Sequence, residues 1–294
     1  METETDPVAG SRKPGLWVTG ATGFIGSHLL NDKTRDRYRV IAHARSTERI
    51  ERLRNLPPAD AWSFGDLQAG IIDWPDDETI ETTLHLASPS SWSLLNDPKV
   101  YDWVIDSVKL AWRQTVENGG KHFVFVSSAS ALGGYDSRSD WKVKRNHQLP
   151  RRSRFPYAAA KFEAEQWLIK SSRDSGIKLS VVYPGEVYGA GDFQMITAGT
   201  IQSMTDARVC LVSSGGTHVA DLEEVTQALW AVVEGEAATR ALIAGEFLEF
   251  REIAKIARNY SGKRGPIITL PNWIVNAAIQ LREKLGIDLV GHPD

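Results

Sequence analysis

The stretch VTGATGFIG, residues 18–26, follows a short apolar segment at residues 15–18 and leads into Ser27-His28-Leu29-Leu30. A strand, a glycine-rich turn and a helix in this order are typical of a dinucleotide-binding site. The glycines allow the backbone to turn sharply and to approach a pyrophosphate. The N-terminus of the helix then offers free N–H groups and the positive end of its dipole. Ordinary glycine-rich turns share this pattern, so its interpretation depends on the rest of the chain.

Short apolar segments alternate with helical patterns through the first two thirds of the chain. Connections this short indicate a parallel sheet covered by helices on both faces, and right-handed crossovers then give a doubly wound fold. The sequence therefore predicts an α/β protein of the Rossmann type. Asp97 is the expected N-cap and Pro98 the first residue of one helix. The predicted strands cover residues 16–19, 38–44, 62–66, 83–87, 122–127 and 177–183, and the predicted helices cover residues 26–34, 97–116 and 157–172.

The pattern changes after residue 189, where short apolar segments, turns and further helices at 222–234, 251–260 and 272–285 follow. This part is expected to form a smaller lobe over the carboxyl ends of the strands, where ligands bind in such sheets. The predicted division is a flexible tail at 1–14, a dinucleotide-binding Rossmann domain at 15–189 and, at 190–294, mainly a substrate-binding lobe. Asp221 is expected to cap the helix that follows it rather than to contact substrate.

Composition excludes several classes of function. The chain has 294 residues and a formal net charge of −3, which argues against nucleic acid as a partner. Apolar runs stay shorter than the ~18 residues of a membrane helix, and no apolar signal sequence opens the chain. A single cysteine, Cys210, fits a reducing cytoplasm and is expected to be buried. No His, Cys or Asp cluster has the spacing of metal ligands, so no metal is expected.

Two further features align with the glycine turn. The strand at 122–127 leads into Ser128-Ala129-Ser130, and Tyr157-Ala-Ala-Ala-Lys161 follows downstream. Tyrosine and lysine four residues apart share one face of a helix. An ammonium near a phenol favours the phenolate, so the tyrosine could give or take a proton near neutral pH. A Tyr/Lys pair alone is common on helix surfaces, but its combination with the serines and the dinucleotide turn favours an active site.

On these residues the sequence resembles the short-chain dehydrogenase/reductase superfamily, of the extended type often called the NAD-dependent epimerase/dehydratase family. The resemblance covers residues 16–224 and consists of short motifs that occur in the family's order. The motifs are TGATGFIG (19–26), GDL (65–67), HLAS (85–88), FVFVSSAS (123–130), YAAAK (157–161), PGEVYGAGD (184–192) and HVADL (218–222).

The resemblance implies a catalytic trio. Tyr157 would be the acid and base, Ser128 would hold the reacting substrate oxygen, and Lys161 would bind the nicotinamide ribose and tune the tyrosine. The further cofactor-binding residues that it implies are Gly20, Thr22, Gly23, Phe24, Ile25, Gly26, Asp66, Leu67, Leu86, Ala87, Ser88, Pro184 and Val187. Ser130, Trp92 and Tyr188 are candidate substrate contacts by their position. A homodimer through the helices at 100–116 and 157–168 is also expected.

The end of the second strand bears on the choice of cofactor. Members that prefer NAD usually carry an acidic residue there, which accepts hydrogen bonds from the ribose hydroxyls. Here Ala44 stands at that place and Arg45 and Ser46 follow. A guanidinium matches a 2′-phosphate in charge and geometry. The sequence therefore favours NADP(H) over NAD(H), although Arg45 could also be an ordinary surface residue.

Departures from the family pattern reduce the number of reactions that the sequence favours. The Asp-Glu pair that follows the catalytic serine or threonine in dehydratases is Ala129-Ser130 here. The Asn-x-x-Gly-Thr pattern is absent from the helix after the fourth strand, and Tyr183 replaces an arginine before Pro184. These changes favour a carbonyl reductase or alcohol dehydrogenase acting on a small molecule, similar to dihydroflavonol-reductase-like members. A sugar-nucleotide epimerase is the alternative enzyme. A non-catalytic dinucleotide sensor is the alternative of another class, and the Tyr157/Lys161 pair argues against it.

Overall fold

The computed structural model describes residues 12–51, 56–89, 95, 97–132, 156–193, 195, 197–275 and 277. The strands are β1 (Gly15–Thr19), β2 (Arg39–Ala44), β3 (Ala61–Phe64), β4 (Thr82–His85), β5 (His122–Val126), β6 (Lys178–Pro184), β7 (Glu186–Tyr188), β8 (Cys210–Ser213), β9 (Gly216–Asp221), β10 (Arg240–Ile243), β11 (Phe247–Glu249) and β12 (Ile267–Leu270). The α-helices are α1 (Phe24–Leu30), α2 (Thr47–Glu51), α3 (Val100–Glu117), α4 (Pro156–Ser175), α5 (Thr197–Asp206), α6 (Leu222–Glu234) and α7 (Phe250–Tyr260).

Seven of the described strands form the central sheet, in the order β10-β6-β5-β4-β1-β2-β3. Every neighbouring pair in this sheet is parallel. The strand order reverses beside β1, which pairs with β2 on one side and with β4 on the other. The prediction of a doubly wound Rossmann-type fold is confirmed. Ligands in such sheets bind at the carboxyl ends of the strands next to this reversal.

Apolar residues on both faces of the sheet account for its burial. Trp17, Phe123 and Phe125 face α3 and α4, which contribute Val108 and Leu168 to the same core. The opposite face packs against α1 and α6. Its buried residues include Leu16, Val40, Val124, Leu29 and Leu229. The catalytic candidates of α4 are therefore carried by a helix packed directly on the sheet.

Beyond residue 189 the chain builds two small sheets and also returns to the large one. One small sheet has the order β11-β9-β7 and the other pairs β12 with β8. Their apolar cluster includes Met204, Ile253 and Cys210, which is buried as expected. The last strand of the central sheet, β10, pairs with β6, and α6 packs against α1. The predicted division at residue 189 stays a prediction.

Some predicted boundaries are wrong. The helix expected from Pro98 begins at Val100. The Asp97 carboxylate still accepts the hydrogen bond expected of a cap, from Lys99 N at 2.8 Å, and Val100 N donates to Asp97 O at 2.9 Å, so a hydrogen-bonded turn precedes the helix. Most of the predicted tail and of the helix predicted at 272–285 lies outside the described residues. Within the described part of the chain, no helix combines the length and apolar character needed to cross a bilayer.

Candidate active site

The glycine turn lies at the carboxyl end of β1, where it closes tightly. Gly20 has a φ of +72°, and a Cβ there would lie 2.7 Å from Ala87 N. A Cβ on Gly26 would lie 2.3 Å from the Gly20 carbonyl oxygen. The turn is also held by a hydrogen bond from Gly23 N to Gly20 O at 3.0 Å. Gly20, Gly23 and Gly26 therefore let the backbone close tightly at the start of α1, and this shape fits the pyrophosphate of a dinucleotide.

The carboxyl end of β4 lies beside this turn. Leu86 N donates to Thr19 O at 3.1 Å, and Ala87 N donates to Thr19 Oγ1 at 3.2 Å. Thr19 Oγ1 also lies 2.8 Å from His85 Nδ1. Burial lowers the pKa of His85 well below its ordinary value, so the ring stays neutral. These contacts bring Leu86 and Ala87 next to the glycine turn, and Ser88 follows them in the chain. Sequence reasoning gave Thr19 no role, although its place directly before Gly20 is a usable signal.

The ends of β2 and β3 form the other side of the site. Gly65 N donates to Ala44 O at 3.1 Å, which places Asp66 and Leu67 beside the segment that follows β2. Asp66 is exposed and its carboxylate accepts a hydrogen bond from Gln68 N at 2.9 Å. Arg45 is exposed and Ser46 is half-buried at this same edge. The predicted adenine and 2′-end residues are therefore neighbours, with a cation at the surface.

The catalytic candidates meet at the end of β5. Lys161 Nζ donates to Val126 O at 2.9 Å, two residues before Ser128. The same Nζ lies 5.6 Å from the centre of the Tyr157 ring. Ser128 Oγ and Ser130 Oγ are 2.9 Å apart, and Ser130 N also lies 3.3 Å from Ser128 Oγ. The structure thus brings Lys161 to the base of the serine loop and Tyr157 to Lys161.

Burial sets the protonation of the Tyr/Lys pair. It lowers the pKa of Lys161 to about 7, because an ammonium loses its hydration there. Burial also raises the pKa of the Tyr157 phenol, and the neighbouring Ser88 hydroxyl opposes this shift. The sequence predicts the opposite direction for Tyr157 from the proximity of Lys161, and that expectation is wrong. Desolvation is the largest cause and raises the pKa of the phenol above its ordinary value, so the phenol keeps its proton at neutral pH.

The segment after β6 carries the remaining candidates. β6 ends at Pro184, and Val187 in β7 packs on the core face that α1 and α6 cover. Burial, with the Glu186 carboxylate as a second cause, raises the pKa of Tyr188. Glu186 is therefore a neighbour of Tyr188, and the role of Tyr188 as a substrate contact stays a prediction. Trp92 lies outside the described residues.

Sequence reasoning also missed a buried carboxylate on α4. Glu165 accepts a hydrogen bond from the Tyr183 hydroxyl at 2.8 Å and pairs with Arg240 at 2.7 Å. Its position four residues after Lys161 is the signal that could have found it. Among the described residues, no group of His, Cys, Asp or Glu side chains is arranged to hold a metal ion.

The fold and these motifs define a dinucleotide-binding enzyme class. The family model described as the NAD dependent epimerase/dehydratase family matches residues 16–242, and the chain belongs to that family. Its cofactor is therefore a nicotinamide dinucleotide, which the tight glycine turn and the residues around it fit. The chain is an enzyme of this family, whose members here include reductases and epimerases.

Individual relatives are distant. A Synechocystis sp. protein provisionally named a dihydroflavonol 4-reductase is 24% identical over 279 residues, which cover 92% of this chain and 79% of that protein. UDP-glucose 4-epimerase of Vibrio cholerae is 25% identical over 193 residues, or 62% of this chain and 55% of that protein. The structure of UDP-glucose 4-epimerase from Thermus thermophilus in complex with NAD has a TM-score of 0.72 and 19% identity, and covers 87% of this chain and 86% of that one. This last likeness shows the fold.

Proposed function

We propose that this enzyme is a carbonyl reductase or alcohol dehydrogenase of small molecules, with Tyr157 as its general acid. The observation that carries the proposal is the half-buried Tyr157 ring, whose centre lies 5.6 Å from Lys161 Nζ. Desolvation raises the pKa of its phenol. A phenol that keeps its proton at neutral pH is in the form that can protonate a developing alkoxide. The direction of carbonyl reduction therefore suits the site.

The roles of the other side chains follow from their contacts. Ser128 Oγ accepts from Ser130 N at 3.3 Å, so the Ser128 hydroxyl can turn its own hydrogen to the substrate oxygen. Lys161, fixed on Val126 O at 2.9 Å, would hold the ribose hydroxyls beside Tyr157. When bound, the nicotinamide supplies or accepts the hydride. Tyr157 then gives its proton to the carbonyl oxygen that Ser128 orients.

Replacing Tyr157 by Phe tests the acid. The change removes one hydroxyl, so we expect turnover to fall about 10²- to 10⁴-fold, the range of general acid catalysis, while the dissociation constant of the dinucleotide changes less than about twofold. Steady-state rates with a panel of aliphatic and aromatic aldehydes and ketones, and fluorescence titration with the reduced cofactor, provide the two readouts. Tyr38→Phe, on a ring that stacks on Trp230, is the matched control. Full turnover by Tyr157→Phe contradicts the proposal.

We further propose that NADP(H) is the preferred cofactor. The support is an exposed guanidinium, Arg45, directly after β2, with Ala44 in place of an acid. A charge-assisted pair with a 2′-phosphate contributes on the order of 1–3 kcal/mol. Ser46 adds a hydroxyl donor at the same edge.

Reversal of the charge at Arg45 tests this preference. Arg45→Asp should raise the dissociation constant of NADPH at least about tenfold, because about 1.4 kcal/mol is lost, and should leave NADH binding equal or tighter. Arg173→Asp is the control, since Arg173 is exposed in the last turn of α4. Tighter binding of NADH than of NADPH by the unaltered chain overturns the preference.

A UDP-sugar epimerase is the second candidate, because a UDP-glucose 4-epimerase is among the relatives and another shares the fold. Such an enzyme would return its hydride to the same substrate. Incubation with UDP-glucose and catalytic NAD, followed by proton NMR, separates the two functions. Appearance of the C4 epimer without net change in cofactor absorbance favours the epimerase, and net oxidation of NADPH with a carbonyl compound favours the reductase.

A further inference from the structure

Glu165, Tyr183 and Arg240 form a polar cluster that the proposed mechanism does not use. Glu165 is buried at 4% exposure. Its Oε1 accepts from the Tyr183 hydroxyl at 2.8 Å and lies 2.7 Å from Arg240 Nη2. Burial raises the pKa of Glu165, and the other two side chains oppose that shift. The chain thus keeps a carboxyl group at a place that disfavours its charge.

The cluster joins the helix of the Tyr/Lys pair to two strands. Glu165 follows Tyr157 by eight residues and Lys161 by four, so the three side chains lie along one face of α4. Tyr183 is the residue before Pro184 at the end of β6, and Arg240 opens β10. The carboxylate of Glu165 therefore connects α4 to β6 and to β10.

Two alanines and a leucine of α4 are buried in the core that the helix shares with the sheet. Ala160 and Ala164 are fully or almost fully buried there, as is Leu168. Alanine contacts allow close approach but are not directional, so they resist rotation or sliding of the helix only weakly. Two hydrogen bonds on the same face of α4 are directional. Lys161 Nζ donates to Val126 O at 2.9 Å, and one turn further along Glu165 accepts from the Tyr183 hydroxyl at 2.8 Å.

We propose that Glu165 and Tyr183, with Arg240 balancing the charge, are positioning residues that set the rotation and height of α4 and hence the placement of Tyr157 against the serine loop. The inference rests on the proposed role of Tyr157 as the acid. A displacement of about 1 Å in a reacting group can cost about 100-fold in rate. Loss of the cluster should therefore reduce turnover more than it reduces cofactor affinity or stability.

Three variants separate positioning from a merely structural role. Glu165→Leu removes the carboxylate alone and leaves the buried Tyr183 hydroxyl without its acceptor, so we expect a lower unfolding temperature. At a temperature where the variant is fully folded, we expect kcat to fall about tenfold or more while the KM for the cofactor stays within about twofold. Tyr183→Phe should lower kcat about threefold to tenfold, with the KM for the cofactor within about twofold. Glu165→Gln retains an acceptor oxygen and should recover most of the turnover.

The measurements are kcat, KM and the unfolding temperature on the full chain, with NADPH and the best carbonyl compound of the panel, and Tyr38→Phe as the control. Full turnover by both Glu165→Leu and Tyr183→Phe overturns the inference, and so does a Glu165→Gln variant as slow as Glu165→Leu. If Glu165→Leu does not fold, Tyr183→Phe alone decides, because it removes a single hydroxyl. Full turnover by Tyr157→Phe contradicts the proposed function instead. The two failures can be told apart, because the turnover of the Glu165 variants is measured independently of Tyr157→Phe.

Discussion

Gly26 has the tightest steric surroundings in the glycine turn. A Cβ there would lie 2.3 Å from the Gly20 carbonyl oxygen and 2.9 Å from Ala21 Cα, and both atoms belong to the backbone. Glycine inside a helix is about 1 kcal/mol less favourable than alanine. Glycine is nevertheless required here, because the first turn of α1 approaches the end of β1 too closely for a Cβ. That close approach shapes the cofactor site.

Gly26→Ala is therefore expected to weaken the dinucleotide site in spite of the better helix propensity of alanine. The backbone clash should displace the turn, raise the dissociation constant of NADPH at least about tenfold and lower the unfolding free energy by about 1–3 kcal/mol. Fluorescence titration and denaturant unfolding measure the two effects. Gly199→Ala is the control, because its Cβ would meet Met195 Cβ at an ordinary 3.5 Å inside α5. Unchanged cofactor affinity in Gly26→Ala would contradict this account of the turn.

The residue scale also shows where sequence reasoning stops. Gly20, Gly26, Ser128, Tyr157 and Lys161 could be chosen from motifs, because their chemistry depends on residue type and spacing. The direction of the Tyr157 pKa could not, since it depends on how much water the fold removes around the phenol. Spacing on a helix shows which charge is near, whereas desolvation is a property of the whole packed core.

At the scale of elements, the N-terminus of α6 is capped by the residue that the local sequence pattern predicts. Asp221 accepts hydrogen bonds from Glu223 N at 2.8 Å and from Glu224 N at 3.3 Å. The predicted capping role is thereby confirmed. Asp221→Ala should cost about 1 kcal/mol of unfolding free energy, and Asp221→Asn should cost much less, because asparagine is an equally good cap.

Cofactor and substrate kinetics complete this prediction about Asp221. Both variants should keep the kcat and the KM of the parent, measured at a temperature where all three proteins are fully folded. A fall in kcat shared by Asp221→Ala and Asp221→Asn, without a difference in stability between them, would instead indicate a contact with substrate. Chemical unfolding, monitored by circular dichroism, gives the unfolding free energy of each variant.

Elements with strong local patterns were predictable and elements defined by distant pairing were not. The six predicted strands exist because each is an apolar run between turn residues. β10 was not predicted, since its four residues, Arg240–Ile243, become a strand through pairing with β6. α3 begins at Val100, two residues after the predicted Pro98, although Asp97 makes the predicted capping contact with Lys99 N. Short strands and exact caps depend on partners that a sequence does not display.

At the scale of the whole molecule, assembly and compartment stay predictions. The expected dimer would use α3 and α4, which already pack against each other along the sheet. Cross-linking and light scattering can test this expectation. The Tyr/Lys helix would then lie near the subunit interface, and its placement would depend on association as well as on the Glu165 cluster.

The sheet also encloses three buried histidines among the described residues: His43, His85 and His122. Burial lowers the pKa of His43 to about 4 and that of His122 to about 3, and it shifts the pKa of His85 in the same direction. Below pH 6.5, the ordinary pKa of histidine, these side chains bind protons in the unfolded chain but stay neutral in the folded chain. Stability is therefore complete above about pH 6.5 and is lost as the pH falls toward the folded-state values.

Acidification from pH 7.5 to 5 should consequently lower the unfolding free energy, with a slope of up to about 1.4 kcal/mol per pH unit for each histidine. His122→Gln tests the origin of this slope, because its amide nitrogen can replace Nε2, which lies 2.9 Å from Ser180 Oγ. That variant should lose about one third of the slope. Val124→Ala, two residues along β5 and equally buried, should lower stability at every pH and leave the slope unchanged. Denaturant unfolding at four pH values gives these slopes, and an equal slope in His122→Gln and the parent would show that His122 takes no part in it.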